Sequence, residues 1–195
     1  MKLLAPDAAR KSADTLALST MEALFSSLDG MLFRCKVDEY WTLLAVSAGC
    51  HGLTGYRAED LIGNPDHSLE SLTHPEDRAA VRGTILAAVD TGSRYTIEYR
   101  IICRDGEEKW VLERGVGLRN SDGQPELEAY LEDITDRVVG QIHLAETELR
   151  YRSIFENSVV GMFQSTEKAR YLAPNQTLAT LYGYPPQMAL ISSLA

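Results

Sequence analysis

One stretch of this 195-residue chain occurs twice. Phe25, Gly30-Met31, Leu53-Thr54-Gly55-Tyr56 and Leu61-Ile62 return as Phe155, Gly161-Met162, Leu181-Tyr182-Gly183-Tyr184 and Leu190-Ile191. Phe155 follows Phe25 by 130 residues, Gly183 follows Gly55 by 128 and Ile191 follows Ile62 by 129, so three landmarks agree on one period. Repeats of roughly 20 to 50 residues build solenoids, whereas a period the size of a domain means tandem domains. The chain is expected to hold one complete module and the opening of a second. That opening, residues 157–195, lacks the strands that would close a sheet. It is expected to be poorly packed, disordered or engaged with another chain, as a piece of a longer polypeptide.

Composition narrows the class of partner. With 45% hydrophobic and 24% charged residues the chain has the make-up of a globular protein with a core. A net charge of −9, with no cluster of Lys and Arg, argues against a nucleic-acid surface and against an acidic membrane face. Three cysteines, Cys35, Cys50 and Cys103, are an odd number without metal-ligand spacing. They indicate neither a disulfide framework nor a zinc site and fit a reducing cytoplasm. The N-terminus has no long apolar core and no run of 18 apolar residues occurs, so neither an export signal nor a membrane span is expected.

Apolar residues Leu16, Met21, Leu24, Phe25 and Leu28 recur at helical spacing, with Ser19 and Glu22 placed as a capping box, and predict a helix over about residues 13 to 28. Residues 31–36 and 40–46 read as a hairpin turning at Val37-Asp38-Glu39. Between 48 and 90 glycines and Pro65 punctuate short helical pieces. Pro75 then opens a longer helix carrying Val81, Ile85, Leu86 and Val89, which should stop at Gly92. Strands over about 94–104, 108–119 and 125–134 follow, with Asp-Gly in both links. Sequential hairpins at both ends make the sheet antiparallel and the class α+β, with helices on one face.

In that order, His74-Pro75-Glu76-Asp77-Arg78, Glu98-Tyr99-Arg100, Asp105-Gly106, Lys109-Trp110-Val111 and Glu132-Asp133-Ile134-Thr135-Asp136-Arg137 resemble a PAS domain with its C-terminal PAC segment. The resemblance divides the chain into an N-terminal segment (1–21), a PAS/PAC domain (22–137), a connector helix (138–156) and the truncated start of a second PAS domain (157–195). It implies a five-stranded sheet of order 2-1-5-4-3 and a cavity between sheet and helices. The residues expected around that cavity are Phe33, Leu44, Tyr56, Leu69, Leu72, Val81 and Ile85 on one side, and Ile97, Tyr99, Ile101, Val111, Glu113, Ala129 and Leu131 on the sheet. It also implies a sensor in a bacterial multidomain protein whose output is of the histidine kinase or cyclic-di-nucleotide type, as in diguanylate cyclases.

Flavin-binding members of the family carry an Asn-Cys-Arg-Phe-type motif on a central helix; here the neighbourhood reads Gly63-Asn64-Pro65-Asp66-His67-Ser68-Leu69, without cysteine. Haem-binding members need an axial His on the long helix. His74 precedes that helix and residues 78–90 contain none. Haem and flavin are therefore disfavoured and the cofactor stays unknown. His67 has two readings, one pointing into the cavity and the commoner one bonding locally at the surface, while His51 and His143 read as surface. Cys50 beside His51 is no dyad, since adjacent helical side chains diverge by about 100°. Cys35 and Cys103 read as core. With no nucleophile constellation or phosphate loop, the chain is not expected to be an enzyme.

On the strand 94–104, Tyr95, Ile97, Tyr99, Ile101 and Cys103 share the face that must meet the helices. The loop after it decides what joins them. A two-residue loop pairs 101 with 110 and turns Trp110 inward; a three-residue loop, Asp105-Gly106-Glu107, pairs 101 with 111 and turns Val111, Glu113 and Gly115 inward. Hydrophobicity alone favours the first and the resemblance favours the second, which is the expectation adopted. Trp110 and Leu112 would then need cover from the N-terminal helix or another subunit. Glu113 would lie at the cavity, where the ordinary fate of a long acid is to reach the rim and be solvated.

After the last strand, Asp133 or Thr135 is placed to cap a helix to about Glu156, with Val138, Ile142, Ala145 and Leu149 on a 3-4 repeat. Asp133, Thr135 and that stripe are the expected signal relay. A parallel homodimer through this connector and the N-terminal helix is expected. Two functions stay open: a cavity that binds a small ligand and shifts the connector, or a packed module serving dimerisation and protein interaction.

Overall fold

The computed structural model describes residues 30–165 and 171–183. The predicted helix over 13–28 and the repeated Leu190-Ile191 lie outside them. Two compact units divide between Asp136 and Arg137.

The first unit contains β1 (Gly30–Lys36), β2 (Leu43–Val46), three short helices α1 (Cys50–Thr54), α2 (Ala58–Leu61) and α3 (Leu69–Leu72), the longer α4 (Arg78–Thr91), and β3 (Arg94–Ile102), β4 (Glu108–Arg119) and β5 (Pro125–Asp133). The strands form one antiparallel sheet of order β2-β1-β5-β4-β3, as the resemblance implied. β5 enters beside β1 because it returns from the β4 hairpin across the sheet, pairing Phe33 with Ala129 and Met31 with Leu131. The buried side chains of the helices and of the sheet's inner face form a single core.

Local chemistry explains the element ends. Ser68 Oγ accepts from Ser71 N and starts α3. α4 begins at Arg78 rather than Pro75, because Asp77 N donates to His74 O in a preceding turn, and it stops at Gly92 as expected. β2 is shorter than predicted. Asp38 Oδ1 accepts from Tyr40 N (3.1 Å) and Thr42 N (2.9 Å), which keeps residues 40–42 in a turn. In that turn Trp41 takes a left-handed φ of 51°, costly for a large side chain. It is held there by an Nε1 bond to Glu70 (3.1 Å) and by the Arg82 guanidinium 4.8 Å above its ring.

The β3–β4 link corrects the predicted register. Cys103 N donates to Glu107 O at 2.8 Å, so the three-residue loop is Arg104-Asp105-Gly106, with Gly106 at φ 87°. A left-handed glycine closing a three-residue hairpin loop is the conformation that matches strand twist. Ile101 pairs with Lys109, not with 111. The error is two residues, and a shift of two leaves every side chain on its predicted face.

The second unit contains most of α5 (Thr135–Asn157), a two-stranded sheet of β6 (Phe163–Ser165) and β7 (Tyr171–Pro174), and α6 (Gln176–Leu181). Among the described residues no helix is long and apolar enough to cross a membrane.

Candidate functional site

The polar centre of the first unit lies inside its core. β3 carries Tyr95 and Tyr99 four residues apart, hence on one face, and β4 presents Glu113 between them, opposite Ile97. Glu113 Oε1 accepts a bond from the Tyr95 hydroxyl, and Oε2 accepts one from Tyr99 Oη at 2.6 Å. Glu113 is 1% exposed. The expectation that it reaches the rim and is solvated is therefore wrong. The two phenols supply donors that water would otherwise supply, and strand parity turns the side chain away from any edge.

A glycine makes this cluster possible. Tyr95 pairs with Gly115, and a Cβ at Gly115 would collide with the Tyr95 hydroxyl. Any other residue would push the phenol off Glu113. Burial raises the Glu113 pKa, a shift the two phenol bonds only partly oppose. Tyr95 and Tyr99 are raised by burial first and by the facing carboxyl second. Cys35, on the same inner face of β1, is raised by burial and then by Glu113.

Phe33, Leu69, Leu72, Val81, Ile85, Tyr99, Ile101, Val111, Ala129 and Leu131 are brought together in the core around the cluster, and Tyr56 and Ile97 sit partly buried at its margin. Leu44 does not belong. A bulge at Arg34/Cys35 pairs Cys35 with Leu43 and Arg34 with Ala45, so Leu43 is buried and Leu44 is exposed. In a run of Leu-Leu-Ala-Val no local signal distinguishes the two leucines. Tyr95 was missed as a site residue although it shares the face of Tyr99; the pairing of a tyrosine with a glycine was the available signal. His67 contacts the Tyr56 ring, with centroids 4.7 Å apart. All three cysteines are free and buried, and among the described residues no group of His, Cys, Asp and Glu is arranged to hold a metal.

Where β5 runs into α5 the predicted relay residues form a latch. Thr135 N and Oγ1 donate to Asp133 Oδ1 at 3.0 and 2.6 Å, and Thr135 Oγ1 accepts from Trp110 N at 3.0 Å. Ile134 N donates to Trp110 O at 2.9 Å, and Lys109 Nζ lies 3.3 Å from Asp133 Oδ2. Burial alone would raise the Asp133 pKa, but the bonds from Thr135 and Lys109 hold it below the usual range. Beyond the latch Val138 is half-buried, whereas Ile142, Ala145 and Leu149 are exposed along α5.

A second clamp fastens the head of α4 to the sheet. Arg100 Nε and Nη2 donate to Asp77 Oδ2 (3.0 Å) and Oδ1 (2.8 Å), Nη2 also reaches Glu76 (2.9 Å), and the guanidinium stands 5.8 Å over the Trp110 ring. This bidentate geometry lowers the Asp77 pKa. It also explains how Trp110, on the outer face as expected, is partly covered. Leu112 on the same face is buried.

Comparison with known proteins agrees with the fold. Residues 43–128 match the family described as the PAS fold. A blue-light-activated histidine kinase of Brucella melitensis is 30% identical over 180 residues, covering 88% of this chain and 33% of the kinase. The chain spans about a third of the length of the curated relatives it matches. The crystal structure of a sensory box histidine kinase/response regulator from Burkholderia thailandensis superposes with a TM-score of 0.52 at 25% identity, over 67% of this chain and 98% of that one. The PAS domain of an HTR-like protein from Haloarcula marismortui shares the fold, with a TM-score of 0.53 at 22% identity over 65% of this chain and 98% of that one. The five-stranded sheet of order 2-1-5-4-3, the helices on one face and the family match identify residues 43–128 as a PAS domain.

Proposed function

We propose that residues 22–137 are a sensory module of a longer cytoplasmic signalling protein, and that residues 138–156 carry its state to an output domain of the histidine kinase or cyclic-di-nucleotide type. Residues 157–195 begin a second PAS domain in this reading. The observation that carries it is the latch: Asp133, Thr135 and the Trp110 backbone join the last strand, its neighbour and the first turn of the connector. A change in β4–β5 pairing therefore acts on the connector within one residue of its start. The likeness to a histidine kinase over 88% of this chain supports the choice of output. Blue-light activation is not carried over, because Gly63–Leu69 lacks the cysteine of the flavin-binding motif.

The test places this chain in the corresponding third of that kinase. Thr135→Ala is expected to change autophosphorylation by ~5-fold or more, the lower range of coupling between sites. An unchanged rate with α5 still helical by circular dichroism sinks the relay.

A small interior ligand is a second reading, favoured by the Glu113 cluster, since hydrogen-bonding groups inside an apolar cavity are what orients a small molecule. The packed core limits such a ligand to a small one. Mass spectrometry of the supernatant from denatured protein tests it, and a supernatant with no stoichiometric compound leaves the packed interaction module. The exposed Ile142, Ala145 and Leu149 stripe supports a homodimer through the connector. Light scattering at high concentration is expected to give twice the chain mass, and a strict monomer removes the dimer.

A further inference from the structure

Glu113 is a carboxyl group with nowhere to put a charge. It is 1% exposed, and none of the ion pairs among the described residues includes it. The titratable groups that face it are phenols and a thiol: Tyr95 and Tyr99 from β3 and Cys35 from β1. Directly opposite stand Ile97 on β3 and Leu131 on β5, and the buried side chains of α4 are Val81, Ile85 and Ala88. Two hydrogen bonds from neutral donors offset only part of the cost of an unpaired carboxylate in an apolar interior. The geometry accommodates two states. As a neutral acid Glu113 donates to one phenol and accepts from the other; as an anion it accepts from both.

We propose that the Tyr95–Glu113–Tyr99 cluster is a proton-binding site, in which Glu113 is stored as a neutral acid and release of its proton loosens the connector latch. The inference rests on the relay reading above for its output, but not for the proton site itself. Gly115 shows that the site is built, because only glycine opposite Tyr95 leaves room for the phenol to reach the carboxyl. The route outward is short. Glu113 pairs with Leu131, two residues before Asp133, and Val111 pairs with Asp133 itself. Trp110, three residues before Glu113, donates its N–H to Thr135. An anion formed at Glu113 draws in water or parts β4 from β3 and β5, and the latch is held by β4 and β5.

The test is an NMR titration of the full 195-residue chain, following the Glu113 carboxyl carbon and the amides of Trp110 and Thr135. Glu113 is expected to titrate above the ordinary glutamate range. Both amides should move with the same midpoint, and those movements should vanish in Glu113→Gln. Tyr99→Phe, a milder change that keeps the test usable if Glu113→Gln misfolds, removes a donor to the anion and should raise the midpoint. A Glu113 that titrates in the ordinary range overturns the proton site. A high midpoint with Trp110 and Thr135 unmoved overturns the coupling and leaves the relay reading to the Thr135→Ala test. Amide movements that persist in Glu113→Gln assign the titration to another group and overturn the proposal.

Discussion

The two copies of the repeated stretch fold alike locally and differ in what they bury. In the first copy Ser47 N donates to Leu32 O (2.8 Å) and Ser47 Oγ accepts from Leu32 N (3.0 Å); in the second Asn175 N donates to Met162 O (2.9 Å) and Asn175 Oδ1 accepts from Met162 N (2.9 Å). The hairpins share their register. Phe33 pairs with Val46 as Phe163 pairs with Pro174, and both carry an irregularity one residue further, at Arg34/Cys35 and Gln164/Ser165. Gly55 at φ 78° caps the next helix, and Gly183 at φ 75° stands one residue beyond the Tyr182 cap of its counterpart. Burial then separates them. Phe33 is 5% exposed and Phe163 54%; Leu53 is 4% exposed and Leu181 77%. Hairpin, bulge and helix cap need only neighbours in sequence, whereas a buried face needs β3, β4, β5 and α4 laid against it.

Truncation of matched leucines should widen that contrast most. Leu53→Ala is expected to destabilise the first unit by ~2–5 kcal/mol, the cost of a cavity in a closed core, while the exposed Leu181→Ala stays within ~0.5 kcal/mol. Urea denaturation of both variants decides it, and equal losses break the comparison.

The paired caps come next. Asn175 is fully buried and also donates to Phe155 O and Val160 O and accepts from Leu178 N. Asn175→Ala should cost ~2–3 kcal/mol locally by orphaning these groups, against ~1 kcal/mol for Ser47→Ala. Hydrogen exchange at Met162 N and Leu32 N reads the two separately.

Gly115 has no counterpart among the described residues of the second unit, so its replacement tests the completed module alone. Gly115→Ala should lose ~1–3 kcal/mol from overpacking against Tyr95 while exchange at Met162 stays unchanged. A neutral result would remove the glycine's role in seating the phenol.

The smallest expected effect is on pH dependence, which also belongs to the first unit. The Glu113 pKa is raised on folding, so the folded state keeps a proton that the unfolded chain has lost. Stability should therefore fall as pH climbs from the ordinary glutamate range to the raised value, and Glu113→Gln should flatten that slope. Asp77 has the opposite sign. Its lowered pKa contributes stability above the ordinary aspartate range that is lost as pH falls, and Asp77→Asn should remove part of the acid-side loss. Chemical denaturation as a function of pH measures both slopes.

Much of the fold is legible because it is encoded at short range. Alternation along 94–104 names the inner face, Asp-Gly marks both hairpin links, and Gly92 ends the long helix. The candidate site was legible only in part. Glu113 could be placed on the inner face from loop length and resemblance, because its face depends on parity and survives a register error of two. Its hydrogen-bond partners could not, since they sit on another strand 14 and 18 residues away. Asp133 and Thr135 were legible as a helix cap, but their bonds to Lys109 and Trp110 were not.

The sequence by itself determined the repeat, the α+β order, the inner face of the strand over 94–104 and the start of the helix that follows the last strand. All of these depend on residues close together in the chain or on a comparison of the chain with itself. Only the tertiary structure decided that Leu43 rather than Leu44 is buried, that Arg100 clamps Asp77 over Trp110, and that Glu113 meets two phenols instead of water. Each of these is settled by a bulge or a cross-strand distance, and such distances exist only once β1, β3, β4, β5 and α4 have closed on one another.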